Sequence, residues 1–81
     1  GWQKAADGIR WWWQNPDGSY PASQWKETDG KWYYFDAEGY MATGWINVGG
    51  VDYCLAPDGA LYVSCTTPDG YNVDANGAWI H

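Results

Sequence analysis

The densest apolar run of the chain, Lys31-Trp32-Tyr33-Tyr34-Phe35, is short, aromatic and bounded by Gly30 before it and Asp36-Ala37-Glu38-Gly39 after it. That pattern predicts a β-strand closed by a turn, with Tyr40-Met41-Ala42-Thr43 as the return. Side chains alternate across a strand, so Trp32 and Tyr34 go to one face and Tyr33 and Phe35 to the other. A hairpin that is aromatic on both faces is marginal in water, and both faces must meet something. Pro16-Asp17-Gly18 and Pro57-Asp58-Gly59 punctuate two further hairpins, proline presetting φ and glycine accepting a positive value. Gly44 and Gly50 read as the links between hairpins. No stretch shows 3.6-residue apolar spacing over a useful length, and Gln3 to Ala6 is too short to be a helix. The chain therefore reads as all β, with turns expected near Asp17-Gly18, Glu38-Gly39 and Asp58-Gly59.

These elements recur. Trp25 and Trp45 are followed by Cys65 in a twenty-residue register, and Gly30, Tyr33, Phe35, Gly39 and Met41 map onto Gly50, Tyr53, Leu55, Gly59 and Leu61. A repeat of this length signals a solenoid or array in which each unit completes its neighbour's core. About four hairpin copies are expected, at roughly 1–24, 25–44, 45–64 and 65–81. The first is longer, with Tyr20 where the second has Met41, and the last is a truncated cap. The fold class that follows is an all-β solenoid of stacked β-hairpins forming one module.

Composition narrows the function. Eighty-one residues bury a limited core, and eight tryptophans and seven tyrosines supply much of the missing apolar mass. A net charge of −6 with four Lys and Arg excludes nucleic acid as a partner, because phosphate-backbone binding rests on basic side chains. It suits a cationic or neutral ligand. No segment reaches the length of about 20 apolar residues that crosses a bilayer, and no signal peptide is present. The fragment reads as a soluble, C-terminal piece of a larger protein. The one histidine, His81, leaves a catalytic triad without support, and acidic pairs such as Asp36 and Glu38 sit in a turn. Calcium-loop and zinc spacings are missing too, so neither enzyme nor cofactor is expected.

The segment from Trp25 to Trp45, with Gly30, Trp32-Tyr33-Tyr34-Phe35 and Gly39-Tyr40-Met41-Ala42-Thr43-Gly44-Trp45, resembles the choline-binding or cell-wall-binding repeat of Gram-positive surface proteins. The stretch from Thr66 to Trp79 resembles the closing hairpin of such arrays. The resemblance implies a secreted or cell-surface module without catalysis that holds choline-bearing teichoic acid or a cell-wall glycan between consecutive hairpins. Carried over position by position, it implies a cage of Trp25, Trp32 and Met41 completed by Tyr53. Trp2 with Trp11, facing Trp32 or Tyr33, forms an upstream candidate, any one of Trp11, Trp12 and Trp13 being the equivalent ring. A third group centres on Trp45, where Asp52 and Cys54 replace Trp32 and Tyr34 of the preceding copy. The terminal hairpin is a candidate homodimer contact.

The chemistry stands without the family. A quaternary ammonium has no N–H to donate, so it is held by several ring faces at once, each contributing about 0.5–2 kcal/mol. The same indoles could stack on sugar rings. The competing reading is a structural spacer or dimerisation module whose aromatics are wholly used in stacking the hairpins. Cys54 and Cys65 allow a disulfide, but a turn at Asp58-Gly59 sets Cys54 opposite Val63 and Cys65 diagonal to it, so free thiols are the default.

Overall fold

The computed structural model describes residues 1–81, and they form β-strands and turns with no helix. The strands pair only with their sequence neighbours. β1 (Trp2–Lys4) pairs with β2 (Trp11–Trp13), β3 (Gln24–Thr28) with β4 (Lys31–Phe35), β5 (Gly44–Val48) with β6 (Val51–Leu55), and β7 (Cys65–Thr66) with β8 (Asn72–Val73). Each pair is a separate two-stranded antiparallel sheet. Four hairpins in chain order are the expected architecture.

Their phase differs from the sequence expectation. The tips of the two long hairpins are Asp29-Gly30 and Gly49-Gly50, not Glu38-Gly39 and Asp58-Gly59. All four tip residues have positive φ, 53° and 77° in the first and 61° and 84° in the second. Two successive positive values make a two-residue turn of type I′, whose twist matches that of the flanking strands. This match holds five residue pairs in register on each hairpin. Gly50 is thus a hairpin tip and not a link. The turns at Asp36–Gly39 and Ala56–Gly59 exist, but they lead out of a hairpin, and the returning Met41 and Leu61 make only isolated bridges to Phe35 and Leu55.

The exit turns at Asp36–Gly39 and Asp74–Gly77 share one device, which the turn at Ala56–Gly59 lacks because alanine stands at its first position; there Asp58 Oδ1 accepts from the Ala60 N–H instead. Asp36 Oδ1 accepts from the N–H groups of Glu38 and Tyr40, and Asp74 Oδ1 does the same for Asn76 and Ala78. A short side chain that bonds backbone two and four residues on fixes the turn locally. Each turn ends in a glycine, and the φ of +87° at Gly39 and +84° at Gly77 lies where only glycine is unstrained. A second reason for glycine is contact. A Cβ on Gly39 would come within 2.5 Å of the Tyr20 ring, and one on Gly77 within 2.6 Å of Leu61. The residue two places after one turn glycine, Tyr20 or Leu61, therefore seats on a later turn glycine.

The chain divides into two compact units, Gly1–Ala42 with β1–β4 and Thr43–His81 with β5–β8. In the first, Phe35 is fully buried and its ring lies 5.7 Å from that of Trp2. In the second, Leu55 and Val73 are 2% and 3% exposed. All three hold the same register position, opposite the first residue of the partner strand. Cys54 is buried opposite Trp45, Cys65 is exposed opposite Val73, and both are free thiols. The pairing of Cys54 with Val63 expected from sequence does not occur, because the hairpin tip lies at Gly49-Gly50.

Candidate functional site

The second unit contains an aromatic cavity of about 380 Å³, lined by Trp45, Asp52, Asp69, Tyr71 and Trp79. Register explains who faces it. Trp45 pairs with Cys54 and Asn47 with Asp52, so these four share one face of the β5–β6 hairpin, and Ile46 and Tyr53 share the other. Opposed residues project to the same side, and alternate residues return to it.

The loop from β7 to β8 supplies the next wall. Buried Thr67 organises it: its N–H donates to the Tyr71 carbonyl, its hydroxyl accepts from the Tyr71 N–H at 3.1 Å, and the same hydroxyl donates to Asp69 Oδ1. Asp69 Oδ2 accepts from the Trp45 indole N–H at 2.7 Å. The carboxylate therefore clamps the loop to the indole. The Thr67 hydroxyl first, and then the Trp45 indole N–H, hold the Asp69 carboxyl below its ordinary value of 3.8, so it is ionised at neutral pH.

The third wall arrives from the exit turn at Asp74–Gly77. The Trp79 N–H donates to the Asp52 carbonyl at 2.9 Å, and Ala78 bridges to Tyr53. The rings of Trp45, Tyr71 and Trp79 then meet edge to face, with centroids 5.6, 6.2 and 5.5 Å apart. His81 lies 4.0 Å from Trp79. Trp45 remains 39% exposed and Tyr71 46%, so ligand can reach both rings. Three rings and two acidic groups around one cavity are suited to a cation: ring faces and carboxylates both present negative potential.

Comparison with known proteins identifies the family. The family model of the choline-binding repeat matches residues 22–64, more than half of the chain. The chain belongs to the choline-binding repeat family. It is 36% identical to choline binding protein F of Streptococcus pneumoniae, crystallised in the presence of a peptidoglycan analogue, with a TM-score of 0.90 over 100% of this chain and 26% of that one. A second pneumococcal structure, a choline binding domain, is 35% identical with a TM-score of 0.88, covering 100% of this chain and 94% of that one. The pneumococcal cell wall endolysin from phage Cp-1, complexed with choline, is 31% identical with a TM-score of 0.83, over 99% of this chain and 24% of that one. The chain thus spans about a quarter of the length of choline binding protein F and of the endolysin. No curated protein matches its sequence.

Within the repeat pattern, the register places the other sequence-predicted residues. Trp2↔Trp13 corresponds to Trp25↔Tyr34 and Trp45↔Cys54, so Trp11 is the ring equivalent to Trp32, which resolves the choice among Trp11, Trp12 and Trp13. Trp25, Tyr34 and Trp32 share a single face of the β3–β4 hairpin, with Trp25 and Tyr34 at 5.0 Å, so the two indoles are neighbours on one hairpin and do not face each other across a groove. Trp32 is 44% exposed. Met41 is placed elsewhere, its N–H donating to the Trp11 carbonyl at 2.7 Å just as that of Trp79 donates to Asp52. The methionine backbone is thus tied to Trp11 of the preceding hairpin, and Trp2 of that hairpin packs on Tyr33 at 4.9 Å. Tyr53 lies on the face of its hairpin away from Trp45.

The choline-binding repeats of the first unit carry their own cations. Lys4 Nζ sits 5.5 Å from the Trp11 ring centroid and Lys26 Nζ 4.8 Å from that of Trp13. A second cavity, of about 310 Å³, is lined by Trp12, Tyr20, Glu38 and Tyr40, with Arg10 4.0 Å above the Tyr40 ring. Of the cavity residues in the second unit, sequence reasoning named Trp45 as a ligand contact, weighed Asp52 as an ammonium partner against a solvated surface carboxylate, and missed Tyr71, Trp79 and Asp69. The signal that could have found Trp79 is its register, two places after the turn glycine, as Tyr20, Met41 and Leu61 are.

Proposed function

We propose that this chain is a binding module that captures ammonium groups of a bacterial cell-wall polymer, such as choline-bearing teichoic acid, on behalf of a secreted or surface protein and without catalysis of its own. The observation that supports it is the Trp45–Tyr71–Trp79 cavity with Asp52 and Asp69 at its rim. Each ring adds about 0.5–2 kcal/mol for a cation over its face, which makes a weak single site, and repeated sites linked in one protein add avidity. The net charge of −6 draws cations to the surface. The related endolysin complexed with choline supports the ligand class, and the relative crystallised in the presence of a peptidoglycan analogue supports a cell-wall setting. In this reading Trp2, Trp11, Trp25, Trp32, Met41, Trp45 and Tyr53 remain proposed ligand-contact positions, and Tyr71 and Trp79 join them.

The structural alternative draws support from the first unit. Trp2 is packed by Trp13, Tyr33 and Phe35, and two lysines already stand over Trp11 and Trp13. Titrating intrinsic tryptophan emission with choline chloride, against sodium chloride at equal ionic strength, separates the two. A binding module gives a saturable change that a folded Trp79→Leu variant weakens. A spacer gives none.

A further inference from the structure

One wall of the Trp45 cavity breaks the repeat. Two residues beyond the pairs Trp2↔Trp13 and Trp25↔Tyr34 come Lys4↔Trp11 and Glu27↔Trp32, each bringing an indole to that face of its hairpin. The corresponding pair of the β5–β6 hairpin is Asn47↔Asp52. A carboxylate therefore stands where two other hairpins carry an indole. Trp79, anchored by its N–H to the Asp52 carbonyl, adds a ring beside it. The cavity keeps three rings and gains an acceptor.

The two acidic residues are not equivalent. Both oxygens of Asp69 are engaged, by the Thr67 hydroxyl and the Trp45 indole. Asp52 accepts one side-chain hydrogen bond, from Asn47 Nδ2 at 2.9 Å, and its second oxygen accepts none. Asp52 thus lines an aromatic cavity with an acceptor to spare. A quaternary ammonium cannot use that acceptor, since it has no N–H. A protonated primary amine can, and hydrogen bonds between ionised partners are about twice as strong as neutral ones.

We propose that the Trp45–Tyr71–Trp79 cavity selects ammonium groups that retain an N–H, primary ammonium heads above all, with Asp52 as the specificity-determining acceptor. This rests on the reading of the cavity as an ammonium site. The ligand chemistry is a short alkyl chain ending in –NH₃⁺, shared by an aminoethyl phosphate head and a lysyl side chain. The ring walls hold the methylene groups and the charge, and Asp52 receives one proton of the ammonium in a hydrogen bond.

The test follows the Trp45 indole resonance of the ¹⁵N-labelled chain at pH 7, assigned with Trp45→Phe. Ethanolamine, N,N-dimethylethanolamine, choline and Nα-acetyl-lysine amide are titrated separately. The expected result is tighter binding of ethanolamine or the lysine amide than of choline, with the dimethyl compound between; the tighter of the two primary amines identifies the source. The isosteric D52N variant, checked for native circular dichroism, should lose about tenfold in affinity for primary amines and less than threefold for choline. Choline binding tighter than both primary amines in the unsubstituted chain, or equal loss for all ligands in D52N, overturns the proposal and leaves the ammonium-binding reading intact. If no ligand moves the resonance, that reading fails and the proposal falls with it.

Discussion

Replacing Gly77 by alanine tests how the third wall of the cavity is positioned. The added Cβ would meet Leu61 Cδ2, Cγ and Cδ1 at 2.6, 2.8 and 2.9 Å, against ordinary carbon contacts of about 3.5–4.0 Å. The Leu61 backbone is held by its bridge to Leu55, and its Cγ as well as its two methyl groups lies in the way, so a turn of the methyl groups alone does not clear the added Cβ. Gly30→Ala is the control, because its φ is also positive, +77°, and nothing lies within 4 Å of its Cβ position. Left-handed backbone strain costs about 1–2 kcal/mol, and the stiffer unfolded chain returns about 0.5, so Gly30→Ala should lose about 1 kcal/mol. Overpacking adds about 1–3 kcal/mol, placing Gly77→Ala at about 2–4 kcal/mol. Urea denaturation followed by tryptophan emission measures both. Because Trp79 follows two residues later, Gly77→Ala should also weaken choline binding while Gly30→Ala does not. Equal destabilisation by the two substitutions would refute the seating of Leu61 on Gly77.

Two further outcomes are expected. Asp69 has its carboxyl lowered by the Thr67 hydroxyl and the Trp45 indole, so its contribution to stability is present above the ordinary value of 3.8 and lost as pH falls through the lowered one; the Trp45 indole proton should hold its chemical shift from pH 7 to 4 and move only below that, as read by NMR. Cys65 is exposed while Cys54 is buried with its thiol pushed up by burial, so a thiol reagent at pH 7.5 should modify one cysteine per chain rapidly, and mass spectrometry should place the label on Cys65.

The sequence carried the fold class further than the geometry of the site. Lys31–Phe35 is a strand because its aromatics favour a pleated surface, and the twenty-residue repeat made four hairpins legible. The phase was not legible from turn residues alone, since Asp29-Gly30 and Glu38-Gly39 both offer a glycine. What separates them is loop length: two residues of positive φ close a full ladder, whereas the longer exit turn returns a strand that makes only single bridges. Trp45 was recognisable by its register, and Asp52 read as the loss of a ring. The register two places after a turn glycine marks Trp79 as the equivalent of Met41, but the pattern of its own hairpin does not say that it comes back to the Asp52 carbonyl and adds a wall. That is a tertiary contact, set by the seating of Leu61 on Gly77 and by Asp74 holding the turn.

Occupation of the space among Trp45, Tyr71 and Trp79 by an ammonium ligand is tested most directly by intermolecular NOEs from the choline methyl protons. Cross-peaks are expected from those methyls to ring protons of all three residues, lost on addition of an excess of ethanolamine. Cross-peaks confined to Trp12, Tyr20 and Tyr40, or none at saturating choline, would contradict it.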